Sequence, residues 1–497
     1  MKVALVSAEA YPFSKTGGLG DVVGALFKEF IKSGIDVSLF LPFYRVTKNS
    51  YFNLTVNADI VYGVPIGLTT LFGAVRVARV SVDSSDNLVI EPSKEGNLFF
   101  IEHDNFFDRD ELYGTSHGEY FDNAERFIFF SRAVLEVCKI MKFHFDVIHC
   151  HDWHTALIPL YLKTFYRECL CFENTKTVFT VHNLGYQGIF HRDKLELTGF
   201  GQEMFHIDGL EFYGMVNFLK GGLFNADIIT TVSPTYATEI LSPEYGGGLD
   251  GVLRKRRESL VGIINGIDYK IWNPEEDPFI VQRYGLQNIS NKQKNKQDLI
   301  SLAGIDCSLE DPLIAFIGRM VYQKGIDIIV DAIPELIKKG VCFVFEGTGE
   351  HYYENKIREL RNIYPSKIFV FIGFDEALAH KIYAGADGLL VPSRYEPCGL
   401  SQLIAMRYGT IPICRQTGGL SDTVEDEVTG FLFSKYSSEA LMHAVFRFIE
   451  AYNDKQKISQ MICEAMKRDF SWRSSSKKYI ELYRGLISEG DRKTSII

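Results

Sequence analysis

Residues 15 to 21 read Lys-Thr-Gly-Gly-Leu-Gly-Asp and follow the apolar run Val3-Ala4-Leu5-Val6. A strand, a glycine-rich turn and then a helix would present backbone N–H groups at the positive end of a helix, a geometry that binds phosphate. Gly17, Gly18 and Gly20 carry no side chain to hold a ligand away from the backbone. Lys15 adds a positive charge beside the turn, and Asp21 adds a carboxylate on its far side. Such a site suits a ligand with an anionic part and a hydroxyl-rich part. The spacing is not G-x-G-x-x-G and carries no dinucleotide fingerprint, and a tight turn without a ligand accounts for the three glycines equally well.

Arg319 and Lys324 share one loop, between a predicted strand at 313–317 and a helix starting near Gly325. Both can reach one diphosphate, the guanidinium as a two-pronged fork and the ammonium as a compact charge. A solvated basic pair on an exposed loop is the plain alternative. Thr417-Gly418-Gly419 offers a second backbone cradle for the same phosphates. Glu396 lies in Tyr395-Glu396-Pro397-Cys398-Gly399-Leu400, just ahead of a predicted helix, where it can cap that helix or accept the hydroxyls of a sugar. His182 follows the β-prone Val178-Phe179-Thr180-Val181 and precedes Asn183 and a glycine-bearing loop, so structural and catalytic readings both stand. Asp108-Arg109-Asp110 matches the D-x-D pattern of metal-dependent sugar transferases. It lies in a charged loop with no strand before it, and a solvated turn is the better reading.

The elements that must position these groups alternate along the chain. Strands are predicted at 2–7, 36–41, 146–149, 176–181, 227–232 and 260–264, then at 313–317, 341–346, 367–372, 388–392 and 411–414. Segments of helical period fall between them, among them 121–140, 325–338 and 437–452. Strand–helix alternation predicts parallel sheets covered on both faces, and two series predict two doubly wound α/β domains. The chemistry-bearing groups repeatedly follow a predicted strand, and ligands of open parallel sheets bind at that end. Residues 44–120 break the pattern with Thr, Val and Tyr in alternation, and are read as a β-rich hairpin insertion on the first domain. The domain join is expected near 262–285, where Asn265-Gly266-Ile267-Asp268 signals a turn and Trp272 to Pro278 cannot be regular.

A chain of 497 residues implies more than one core. Its formal charge of −10 argues against nucleic acid or an anionic membrane as partner. No apolar run approaches the ~20 residues of a membrane span, and Met1-Lys2 leads straight into a strand without a signal peptide. The nine cysteines form no C-x-x-C pair, which gives no zinc motif and fits reduced thiols in a cytoplasmic protein.

Taken together, Lys15 to Asp21, Val181-His182-Asn183, Gln323-Lys324-Gly325 and Pro392 to Leu400 resemble the bacterial glycogen synthases and related starch synthases, from residue 1 to about 487. The resemblance implies a GT-B fold of two Rossmann-like domains, 1–265 on the acceptor side and 266–470 on the nucleotide-sugar side, with a deep interdomain cleft. It implies that 471–497 holds a closing helix that returns to the first domain. It also implies retaining transfer of glucose from ADP-glucose to the non-reducing end of an α-1,4-glucan, with no metal and no cofactor. Catalytic roles then fall to Glu396, His182, Lys324 and Arg319. Lys15, Gly17, Gly18, Arg319, Lys324, Phe374, Glu396, Thr417, Gly418 and Gly419 would bind the donor. Asp21, Asn183, His154 and Tyr113 would lie towards the acceptor. Position 404 holds Ile where many retaining GT-B enzymes carry a second glutamate. Phe374 stands where the family more often has Tyr near the nucleotide base, which leaves ADP-glucose against UDP-glucose open. A glucan phosphorylase, a sucrose-type synthase or a non-catalytic glucan-binding protein of the same fold are the rivals.

Overall fold

The computed structural model describes residues 1–51, 60–93, 95–115 and 117–494. The chain divides into two compact units, one built from Met1–Val232, Ala237–Ile263 and the segment from Ser475 onward, the other from Ser233–Tyr236 and Ile264–Ser474.

Unit 1 is built on a ten-stranded sheet. Its strands are β1 Lys2–Val6, β2 Asp36–Pro42, β3 Tyr62–Ile66, β4 Thr69–Val82, β5 Leu88–Pro92, β6 Leu98–Glu102, β7 Val147–His151, β8 Lys176–Val181, β9 Ile228–Thr231 and β10 Leu260–Gly262. The order is β10-β9-β8-β7-β1-β2-β6-β4-β3, with β5 on β4. From β10 across to β6 every pairing is parallel. These strands read as unbroken apolar runs because helices cover both faces. Within 44–120, β3, β4 and β5 do form antiparallel pairs, but they extend the same sheet, since β6 pairs in parallel with β2 from Leu39–Leu98 to Pro42–Ile101. The parts of that region at 52–59, 94 and 116 lie outside the described residues. Successive strands run outward from β1 to β2, then return to β1's other side at β7, so the switch point lies between β1 and β7.

Unit 2 carries six strands, all paired in parallel. They are β11 Leu313–Ile317, β12 Cys342–Gly347, β13 Ile368–Ile372, β14 Gly388–Val391, β15 Ile411–Arg415 and β16 Phe431–Phe433, in the order β13-β12-β11-β14-β15-β16. Residues alternate between two cores. Leu313, Ala315, Cys342 and Val344 enter one, while Ile314, Phe316, Phe343 and Phe345 enter the other. The short β16 was not among the predicted strands, because three residues behind Gly430 show no periodicity. Here the switch point lies between β11 and β14.

Six helices frame the two switch points or cover the sheets beside them: α1 Gly18–Lys32, α2 Asn123–Ile140, α3 Ile326–Ile337, α4 Gly418–Thr423, α5 Ser438–Asn453 and α6 Trp472–Thr494. Expected helices at 121–140, 325–338 and 437–452 coincide with α2, α3 and α5 to within two residues at each end. Helix α6 buries Tyr483 in unit 1, with its ring 5.7 Å from Phe30 of α1. Where the chain passes into and out of unit 2, Ile267 N–H donates to Phe470 O at 2.8 Å.

Candidate active site

In both units the chemistry-bearing residues gather at the carboxyl ends of the parallel strands at and beside the switch point, where open parallel sheets bind ligands.

In unit 1 the loop after β1 is tied down by Glu9, which the sequence reading did not single out. Its buried carboxylate accepts from Thr16 N–H at 2.5 Å, Thr16 Oγ1 at 2.8 Å, Gly17 N–H at 3.3 Å and the Tyr113 hydroxyl at 2.6 Å. The signal was a lone carboxylate three residues behind the apolar run Val3–Val6. Two amides expected to face a ligand therefore face Glu9, and the amides left to the helix N-terminus begin at Gly18. A Cβ on Gly17 or Gly18 would meet no protein atom within 4 Å, so both stand against open space. Gly24, by contrast, lets α1 approach Tyr11, whose carbonyl oxygen would lie 2.1 Å from a Cβ there. Lys15 Nζ and Asp21 Oδ1 pair at 2.7 Å.

The end of β7 and the loops after β7 and β8 bring His151, Asp152 and His182 together. Asp152 Oδ1 accepts the His182 N–H at 2.8 Å, and Asp152 holds φ 56°, a left-handed conformation uncommon outside glycine. Burial lifts its carboxyl to about 7, opposed by the N–H groups of His182 and Asn183 that it accepts. Burial also pushes the His182 imidazole down to about 3, so it is neutral. His154 is buried with its ring 4.0 Å from Trp153, 4.6 Å from Phe127 and 4.8 Å from Tyr113, and burial holds it neutral as well. Asn183 Oδ1 accepts from Gly185 N–H.

In unit 2 the two sides of the switch point meet directly. Lys324, in the loop after β11, places Nζ 2.6 Å from Oε2 of Glu396, in the loop after β14. The same oxygen accepts from Ser393 Oγ at 2.8 Å. Glu396 caps no helix: the helix Ser401–Arg407 starts without a side-chain cap. Arg319 is exposed, with Nη2 3.3 Å from Gln323 Oε1. Gly419 N–H donates to the Glu396 carbonyl oxygen at 3.0 Å, so this amide holds the loop after β14 instead of facing outward. Phe374 stands 78% exposed. Glu346, at the end of β12, is a second carboxylate the sequence reading passed over. Burial raises it to about 7, Asp375 N–H donates to Oε1, and Oε2 is buried without a partner among the described residues.

Asp108 and Arg109 belong elsewhere. Arg45 Nε holds Asp108 at 2.6 Å, and Arg109 grips Asp122 at 2.5 Å, so the D-x-D triplet is a structural ion network rather than a freely solvated turn. Among the described residues, Cys307, Asp311 and Cys342 bring ligand-type atoms within 4.8 Å. They lie at the start of β12, the end remote from Gly347, and Lys367 Nζ stands 3.8 Å from Cys342 Sγ. No described helix is long and apolar enough to cross a membrane.

Residues 2–255 match the sequence family described as the starch synthase catalytic domain, and 311–451 match glycosyl transferases group 1. The chain is 83% identical to a glycogen synthase of Thermodesulfovibrio yellowstonii over 100% of both chains. It is 42% identical to a glycogen synthase of Thermotoga maritima over 99% of this chain and 100% of that one. Among solved structures, the catalytic domain of starch synthase IV from Arabidopsis thaliana, bound to ADP and acarbose, superposes with a TM-score of 0.84 at 32% identity, covering 98% of this chain and 99% of that one. A sucrose-phosphate synthase of Thermosynechococcus elongatus shares the fold at a TM-score of 0.58 and 19% identity, covering 98% and 99%.

Proposed function

Because this chain belongs to the glycogen and starch synthase family of GT-B glycosyltransferases, we propose that it transfers glucose from ADP-glucose to the non-reducing end of an α-1,4-glucan. The new bond is α-1,4 and the anomeric configuration is retained. The observation that carries this reading is the Lys324–Glu396 pair at the switch point of unit 2. An ammonium suited to a diphosphate and a carboxylate suited to sugar hydroxyls stand side by side, as a nucleotide-sugar requires. When a donor binds, Lys324 exchanges its carboxylate partner for the diphosphate and Glu396 turns to the glucose hydroxyls. Arg319 adds to the phosphate grip in unit 2, and Lys15 with the amides from Gly18 is likewise assigned to the donor. Thr417 and Gly418 open α4 and add its N-terminus to the same grip. Phe374 offers its exposed ring to the base.

The leaving diphosphate gains charge as its bond to C1 breaks, and fixed donors aimed at that charge each contribute about 3–4 kcal/mol, ~10²–10³ in rate. The acceptor hydroxyl oxygen bonds C1 on the face the phosphate leaves, and its proton passes to the departing phosphate oxygen. Trapping a glycosyl adduct on any side chain would rule that step out. Asp21, Asn183, His154 and Tyr113 are assigned to the acceptor side, and the protein to the cytoplasm. ADP is favoured as the nucleotide because the Arabidopsis starch synthase structure holds it. The test is glucose incorporation into glycogen from ADP-glucose and UDP-glucose side by side. A higher rate from ADP-glucose is expected. A higher rate from UDP-glucose would reassign the donor, and no incorporation from a folded protein would favour a non-catalytic glucan-binding role.

A further inference from the structure

Behind His182 lies a buried row of groups that the proposed chemistry does not use. Tyr483 of α6 places its hydroxyl 2.6 Å from His149 Nδ1 in β7. Burial holds this phenol well above its usual range, so it stays protonated. On the other side of the ring, His149 Nε2 lies 2.6 Å from Thr180 Oγ1. The His149 ring lies against His151, with centroids 4.1 Å apart. His151 Nδ1 is 3.0 Å from His182 Nε2. Burial keeps all three imidazoles neutral.

A nitrogen-to-nitrogen hydrogen bond between neutral imidazoles requires one protonated and one bare nitrogen. His151 Nε2 decides which. It is buried and has no partner among the described residues. Buried N–H groups lacking an acceptor are rarer in proteins than acceptors lacking a donor. The His151 proton thus lies on Nδ1 and is donated to His182 Nε2. His182 must then carry its own proton on Nδ1, an atom with no protein partner among the described residues. We propose that His151 is a positioning residue that locks His182 in the Nδ1–H tautomer, so that His182 offers a fixed hydrogen-bond donor to an oxygen of the bound glucose. The tautomer rests on this geometry alone, whereas its use on glucose rests on the proposed transferase function.

Nitrogen-15 NMR of the full-length, histidine-labelled protein tests the lock, with the His182 resonances identified by their loss in His182→Gln. A protonated Nδ1 and a bare Nε2 are expected, and a protonated Nε2 would overturn the proposal. His151→Leu removes the donor. It should let His182 populate both tautomers and raise the KM for ADP-glucose about tenfold, the worth of one well-placed hydrogen bond. His151→Asn restores an N–H near the Nδ1 position and should recover most of that loss. The wild-type spectrum decides the tautomer even if neither variant folds. The expected tautomer with an unchanged KM in His151→Leu would support the lock while overturning the contact with glucose.

Discussion

The Lys324–Glu396 pair is mostly shielded from solvent, so Lys324→Ala leaves the Glu396 carboxylate to the Ser393 hydroxyl. Turnover should drop by at least ~10² while glycogen binding, followed by affinity electrophoresis, holds. Equal losses of both would count against a role on the donor. Glu9→Gln replaces one acceptor oxygen by an NH2 facing N–H and O–H donors, and should destabilise the protein by ~1–3 kcal/mol, read as a lower urea midpoint. His149 and His182 carry a third expectation. Their folded-state imidazoles titrate near 3, against 6.5 when exposed. Between those values the unfolded chain binds protons that the folded chain refuses, so stability is full above about 6.5 and falls as pH drops towards 3. Asp152, raised to about 7, acts in the opposite sense and loses stability as pH rises towards 7. A urea midpoint that falls below pH 6.5, and falls less steeply in His149→Gln, is the expected result. A flat midpoint down to pH 4 would refute it. At this scale the sequence showed charged and glycine residues standing after strands. It did not show what Glu9, Glu346 or the row behind His182 do, because an isolated polar residue beside an apolar run marks a position but not a partner until the fold supplies one.

Two glycine-opened helices separate structural from ligand-directed glycine. At Gly419 in α4 a Cβ would lie 2.2 Å from the Cys398 carbonyl oxygen, an unyielding backbone atom. Gly419→Ala must shift the loop that carries Glu396, and a loss of ~1–3 kcal/mol is expected, visible as a Tm lowered by several degrees. Gly18, the first residue of α1, has open space where its Cβ would go. Gly18→Ala should leave Tm unchanged or slightly higher, since Ala favours helix, yet weaken donor binding if that space belongs to the diphosphate. Calorimetric titration with ADP checks it, and unaltered affinity would remove the loop from the donor site. Most elements were legible, because strands buried on both faces, such as Val3–Val6 and Leu313–Ile317, need unbroken apolar runs. The pairing of β6 with β2 was not, since the four apolar residues Leu98 to Ile101 behind a hairpin look the same whether they extend a sheet or close a separate one.

At the scale of the molecule, two parallel sheets follow from strand–helix alternation, but the interleaving of the units in sequence does not. Residues 233–236 belong to unit 2 although they lie between stretches of unit 1, and α6 from Ser475 onward belongs to unit 1 although it comes last. That last helix supplies Tyr483, fully buried against Phe30 and His149. Synthesis proceeds from the N-terminus, and domains generally fold as units as they emerge. Unit 1 starts first, yet its hydrophobic interior lacks a wall until α6 leaves the ribosome, by which time every residue of unit 2 has been made. The order of completion should therefore invert the order of translation. Chains truncated after Ser474 and released from the ribosome should show unit 2 resistant to brief proteolysis and unit 1 still open to it. Docking of α6 then makes the His149 end of the site the last part of unit 1 to be sealed.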